Sequence, residues 1–303
     1  MFSKISPFVL AVALVGCGTQ DPGQLGGGGA SGNGGGGVNI KLDGSLPGSG
    51  GVGGSGTSTL APGEILMMVR DFRFYDASDS KTNPDFENVP KTDENGDACT
   101  PECYGPWHDA DIVSDTLGSD YKPAYKKPGE TTLTTHGQEA FAQWYRTVDG
   151  TNVMQEIPLK LTEMPDGSYQ YDSKTAGPPL SPGGSFFPLD DGTPYATAYG
   201  NQGKAHNYSF TVEIHTLFTY QGGEHFYFSG DDDVFVFINN KLVINIGGIH
   251  GREEHDVLID SLGLKPGETY PLDFFYAERH VVESNLKITT TLDLSTNTEI
   301  PIF

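Results

Sequence analysis

The chain has 303 residues and a formal net charge of −22 at pH 7, from 18 Lys and Arg against 40 Asp and Glu. That excess argues against nucleic acid as a partner and against direct adsorption to anionic lipid, and it suits a protein exported into salt or calcium. Aromatic residues make up 11% of the chain and gather in its second half, so the core is expected there, within an all-β domain of roughly 200–250 residues.

Residues 1–17 read as an export signal. Lys4 is the short basic start, residues 5–15 are apolar, and Leu14-Val15-Gly16-Cys17 closes the segment. The apolar run is too short to span a bilayer as a stable helix. Leu-Val-Gly-Cys resembles a bacterial lipobox, which implies acylation of Cys17 and a membrane contact through that anchor alone; an ordinary signal peptide with an incidental cysteine is the alternative. Gly18 after the cysteine favours delivery to the outer membrane or cell surface. Residues 18–63 carry two runs of four glycines and too little apolar surface to offset the entropy of ordering, so they are expected to form a disordered tether.

The folded part is placed at residues 64–294, with 295–303 as a C-terminal tail. It opens on residues 64–74, where the continuous apolar run from Ile65 to Val69 predicts a buried strand. A loop-rich stretch follows, holding Cys99 and Cys103. In an exported protein two cysteines this close read as a local disulfide; a zinc site needs two further ligands, with His108 the only close candidate. Asp93, Asn95 and Asp97 alternate like the start of a calcium loop, but Ala98 replaces the required glycine and Tyr104 the closing glutamate, which favours a solvated turn. Thr135 is positioned to cap a short helix over residues 138–145, whose Phe141, Trp144 and Tyr145 read as core.

From Ile157 the pattern is one of strands. Residues 158–161 and 169–171 flank Pro165-Asp166-Gly167, a hairpin turn. Residues 208–220 alternate, with Tyr208, Phe210, Val212, Ile214 and Thr216 on one face, before Gly222-Gly223 turns the chain. Next come Asp231, Asp232 and Asp233, followed by Val234, Val236 and Ile238 on one face and Phe235 and Phe237 on the other. A strand apolar on both faces is buried, so the three carboxylates stand at the lip of a core, where a cation or open water must relieve their repulsion. Asn239-Asn240 supplies a turn, and residues 242–246, 257–262, 270–276 and 285–294 complete the strands. Short, closely spaced strands with one short helix and long loops predict an antiparallel β-sandwich.

His250, Glu253, Glu254 and His255 form a polar cluster between glycines. The spacing suits no single helical face, so a solvated loop is favoured over a zinc site. No nucleophile elbow, His-Glu-x-x-His zinc helix or phosphate loop is present in the sequence, and the chain reads as a non-enzyme.

Several stretches together resemble the fibro-slime domain, a branch of the protective-antigen-like β-sandwich family. They are Val69-Arg70-Asp71-Phe72, Asn83-Pro84-Asp85-Phe86-Glu87, Gly184-Ser185-Phe186-Phe187-Pro188 and His206 to Thr211, then Ser229 to Asn239, Gly247 to Gly251, and Ala277-Glu278-Arg279-His280 with Ser284-Asn285. Phe235 and Asn240 stand where the family often has Trp and Gly, and neither is a candidate ligand. The resemblance implies a surface or secreted binding protein, and the wider family includes calcium-dependent sugar-binding adhesins. It implies calcium held by two of Asp231, Asp232 and Asp233, joined by a cis peptide, together with Asn285. Glu278, His280 and Tyr276 then fall beside the ion as ligand contacts or support. The expected partner is a carbohydrate or an extracellular-matrix component. The competing expectation is a structural or assembly module in which the ion only stabilises the fold.

Overall fold

The computed structural model describes residues 60–86, 107–190, 206–280 and 283–295. The signal with Cys17, nearly all of the tether, the Asp93–Asp97 turn, Cys99 and Cys103, and residues 296–303 lie outside the described residues.

In chain order the strands begin with β1 (Glu64–Phe72), β2 (Trp107–His108), β3 (Val113–Leu117) and β4 (Pro123–Tyr125), followed by helix α1 (Gln138–Phe141). Then come β5 (Asn152–Lys160), β6 (Thr162–Glu163), β7 (Tyr169–Asp172), helix α2 (Ser173–Ala176), β8 (Phe210–Thr219) and β9 (His225–Gly230). The chain continues through β10 (Asp233–Ile238), β11 (Lys241–Ile246), β12 (Gly248–Ile249) and β13 (Glu253–Leu258). It ends on β14 (Thr269–Glu278), β15 (Leu286–Thr290) and β16 (Leu294–Ser295). Seven strands form one sheet in the order β11-β10-β14-β8-β1-β5, with β16 also on β8; five form a second, β13-β9-β15-β7-β6. The pairings within both sheets are antiparallel. The protein is an all-β sandwich.

The predicted alternation along β10 decides how the layers stack. Val234, Val236 and Ile238 enter the core between the sheets, with Val212 and Ile214 of β8, Phe274 of β14, and Phe228 and Ile288 of the smaller sheet. Phe235 and Phe237 enter a second core on the other face of the large sheet, with Phe275 and Phe72. That face is covered by the segment between β1 and β5, which contributes Phe86, Ile112, Phe141, Trp144 and Tyr145. Each such ring adds roughly 1.5–3 kcal/mol on burial. The large sheet is therefore packed on both faces, as its doubly apolar strand predicts.

The β10–β11 turn is made by Asn239 and Asn240 at φ of 51° and 59°, the left-handed pair of a type I′ hairpin that asparagine tolerates. Other expectations need correction. The helix stops at Phe141, and Gly137 rather than Thr135 stands at its N-cap. The Thr135 hydroxyl is instead 2.7 Å from the Tyr125 hydroxyl and 2.6 Å from that of Thr132. The Pro-Asp-Gly turn joins β6 to β7, whereas residues 158–160 belong to β5 in the other sheet; the chain changes sheets at Leu161. The expected strand at 257–262 is the end of β13 followed by a 3-10 turn over Ile259–Leu262. The glycine-flanked stretch is a loop only over residues 250–252, because β12 pairs with β2 before it and β13 pairs along β9 after it. Among the described residues, no helix is long and apolar enough to cross a membrane.

Candidate functional site

β9 belongs to the smaller sheet and β10 to the larger, and only Asp231 and Asp232 connect them. So short a crossing demands an unusual backbone, and Asp232 takes φ of 48°, which aspartate adopts more readily than most residues. Beside the crossing, β14 ends at Glu278, with Ala277 opposite Asp233, and Asn285 precedes β15, with Leu286 opposite Gly230. A side chain at Gly230 would put its Cβ 2.5 Å from the Asn285 carbonyl oxygen, so glycine is what lets β15 approach. The Asp231–Asp232 bond is not cis; among the described residues the cis peptide is Pro178–Pro179.

The three aspartates have different partners. Asp231 accepts from Asn285 Nδ2 at 2.8 and 3.1 Å. Asp232 accepts the Arg279 backbone N–H at 2.8 Å, and its charge acts on Glu278. Asp233 takes Arg279 Nε at 2.5 Å and the Gly248 N–H at 2.8 Å. Arg279 is wholly buried, 4.5 Å over the Trp144 ring, and donates to the Asp85 and Thr134 carbonyl oxygens. Burial opposes its charge, but the Asp233 carboxylate more than compensates and holds the guanidinium pKa above its usual range. Asp233 is thus an ion-pair partner that locks the covering segment to the sheet.

Asp231, Asp232 and Glu278 remain as carboxyl groups with no ion pair among the described residues. Burial, with the nearby Glu283 charge adding and the Asn285 bond opposing, pushes Asp231 up to about 6. Burial and then the Asp233 charge push Asp232 up to about 7, against the pull of Arg279. Burial and the charges of Asp232 and Asp231 carry Glu278 well above the carboxylate range. The charges of Asp232 and Glu278 oppose one another, which favours the protonated form at one of them. The donors are hard oxygens, the set calcium takes. Tyr276 is fully buried against Phe186 and Phe210, and its hydroxyl donates to Glu278 Oε2 at 2.9 Å. It supports the site from inside and presents no face to a ligand. His280 reaches Glu278 through its backbone N–H at 3.4 Å.

A second group of charges lies buried where sequence reading placed nothing. Glu213 of β8 accepts Arg70 Nη1 at 2.6 Å and also binds Lys122 Nζ. His215 stands between Glu213 Oε1 at 2.7 Å and Asp273 Oδ1 at 2.6 Å. Glu213 and His215 two apart in an apolar strand were the available signal, since charge on a buried face requires partners.

The PA14 domain family matches residues 166–302, which include the whole acidic site and exclude the segment covering the large sheet's outer face. The chain is similar to Protein psiD of Dictyostelium discoideum, 42% identical over 193 residues, or 61% of this chain and 36% of psiD. It is also similar to Protein psiC of the same organism, 37% identical over 233 residues, or 73% of this chain and 40% of psiC. The matched part is thus well under half of either relative. Among solved structures, a PA14 sugar-binding domain from an RTX adhesin aligns at 11% identity with a TM-score of 0.22, over 30% of this chain and 52% of that one.

Proposed function

We propose that this is an exported, surface-held binding protein whose PA14 domain takes up calcium at Asp231, Asp232 and Glu278, with Asn285 completing the set. In this reading the ion serves recognition of a carbohydrate or extracellular-matrix component. Acylated Cys17 and the glycine-rich residues 18–63 hold the sandwich away from the membrane, in the manner of a fibro-slime lipoprotein. The role is binding, not catalysis.

The observation that carries the reading is the buried cluster of Asp231, Asp232 and Glu278, to which no cation is paired among the described residues. Two buried carboxyl groups that meet need a cation, and a proton is the substitute when none is supplied. Calcium would displace that proton and take carboxylate oxygens from three strand ends at once. Asn285, which donates its amide to Asp231 here, would offer its carbonyl oxygen instead.

A second reading is favoured by one fact: Asp231, Asp232 and Glu278 are 2%, 4% and 0% exposed. An ion so enclosed suits a structural role, stiffening the junction of the two sheets without touching a ligand. Thermal unfolding of the full chain in calcium and in excess chelator, followed by glycan-array binding in both, separates the readings. Recognition predicts a calcium-dependent melting temperature and calcium-dependent glycan binding, both lost in Asp232→Asn. A melting shift without glycan binding selects the structural ion. No shift at millimolar calcium overturns both.

A further inference from the structure

The pairing of β2 with β12 brings together residues from distant parts of the chain. His108 lies opposite Gly248, and His250 and Glu253 follow within a few residues. Gly248 makes the approach feasible: its φ is +123°, and a Cβ there would sit 1.8 Å from the Trp107 carbonyl oxygen. One ligand atom each from His108, His250 and Glu253 lies within 4.8 Å of the others. His108 Nδ1 is 3.1 Å from Glu253 Oε1, close to the ~3.3 Å edge of a tetrahedron with metal–ligand bonds of about 2.0–2.1 Å.

An ion pair between His108 and Glu253 is enough to explain those two residues. It does not explain His250, which is 6% exposed and stacks its ring on His108 with centroids 5.4 Å apart. Its Nδ1 lies 2.9 Å from the Gly251 carbonyl oxygen, which can only accept, so the ring proton is on Nδ1. Nε2 then carries a lone pair, and it is buried with no hydrogen-bond partner among the described residues. A histidine anchored through Nδ1–H to a backbone carbonyl, with Nε2 free, is the arrangement that orients an imidazole for a metal. His255, the other histidine of the cluster seen in the sequence, lies 3.8 Å from the other oxygen of Glu253 and is outside the trio.

We propose that His108, His250 and Glu253 form a second metal site, distinct from the acidic rim, for zinc or a similar borderline divalent transition ion. Two imidazoles and one carboxylate suit zinc and reject calcium, which prefers oxygen donors. The His108 and Glu253 side chains are 53% and 30% exposed, so the fourth position opens to solvent. The site therefore fits a zinc that keeps a water or takes a ligand from a partner.

Zinc chloride titrated into the full-length protein, in millimolar calcium, tests the proposal. One equivalent is expected to bind and to resist calcium. His108→Ala and Glu253→Gln, at an exposed and a half-buried position, are each expected to keep the fold and to weaken binding by more than the roughly 10–100-fold that loss of an outer-shell partner costs. Cobalt(II) should give a visible d–d band in the native protein that is lost in His108→Ala and kept in Asp231→Asn. Uptake unchanged by His108→Ala and Glu253→Gln overturns the site, as does zinc displaced by calcium or the absence of any bound equivalent.

Discussion

On the outer face of the large sheet, two carboxylates lie among three cationic side chains: Glu213 and Asp273 against Arg70, Lys122 and His215. Both His215 nitrogens face carboxylate oxygens, which two N–H donors satisfy and one does not, so the ring is held charged. At the end of the same sheet, Asp231, Asp232 and Glu278 lie together with no cation paired to any of them among the described residues, because Arg279 is given to Asp233. The two groups are equally buried, and their electrostatics run in opposite directions. In the first, burial raises Glu213 but the His215 bond and the Arg70 and Lys122 charges win, bringing it down to about 2. In the second, burial wins and the carboxyls rise to about 6 and about 7. A buried charged group that supplies its own counterions is part of the fold, whereas one that lacks them is driven toward its neutral form.

The difference can be broken at either end. Glu213→Ala leaves Arg70 and Lys122 buried without their carboxylate and is expected to cost about 3–5 kcal/mol in urea unfolding. Asp232→Asn, measured in chelator, is expected to be neutral or stabilising, since it removes a repelling charge and keeps an acceptor for the Arg279 N–H. Equal losses in the two variants would erase the distinction.

A pH series sharpens it. Glu213 is depressed from 4.5 to about 2, so its contribution is present above pH 4.5 and is lost as pH falls through about 2, in all about 3 kcal/mol at ~1.4 kcal/mol per unit. For His215, burial lowers the pKa, but the bonds to Asp273 and Glu213 raise it above 6.5 overall. Its contribution is complete below pH 6.5 and lost as pH rises through the folded value. Subtracting the stability profile of Glu213→Gln from that of the native protein should therefore leave a maximum between pH 4.5 and 6.5.

At the rim, calcium at 100 times its dissociation constant is expected to add about 2.7 kcal/mol, read as a rise in melting temperature and absent in Asp232→Asn. Among the losses, the smallest is expected from Tyr276→Phe. It removes one hydrogen bond to Glu278 at a cost of about 1 kcal/mol and leaves ligand binding intact, as a support behind the site should. A selective loss of binding in that variant would return Tyr276 to the ligand surface.

Much of the sandwich was legible in the chain itself, because alternation and turn chemistry are local. The period-two pattern of Val234 to Ile238 placed one face in each core, and Asn239-Asn240 carried its own type I′ geometry. The acidic triplet also marked the lip of the core, since three adjacent carboxylates at the start of an apolar strand need an electrostatic remedy. What local pattern could not carry was pairing. Residues 158–160 have the same pattern in either sheet, and only the register of β5 on β1 assigned them to the larger one.

Charge behaves the same way. A sequence shows that Asp231, Asp232 and Asp233 are alike; the tertiary structure decides that one meets Arg279, one meets Glu278 and one meets Asn285. His108 and His250 likewise meet only through the β2–β12 bridge that Gly248 permits. Side-chain type and spacing determine which strands can form and which groups need a partner. Which partner each finds is set by long-range packing, where sequence distance carries no information about distance in space.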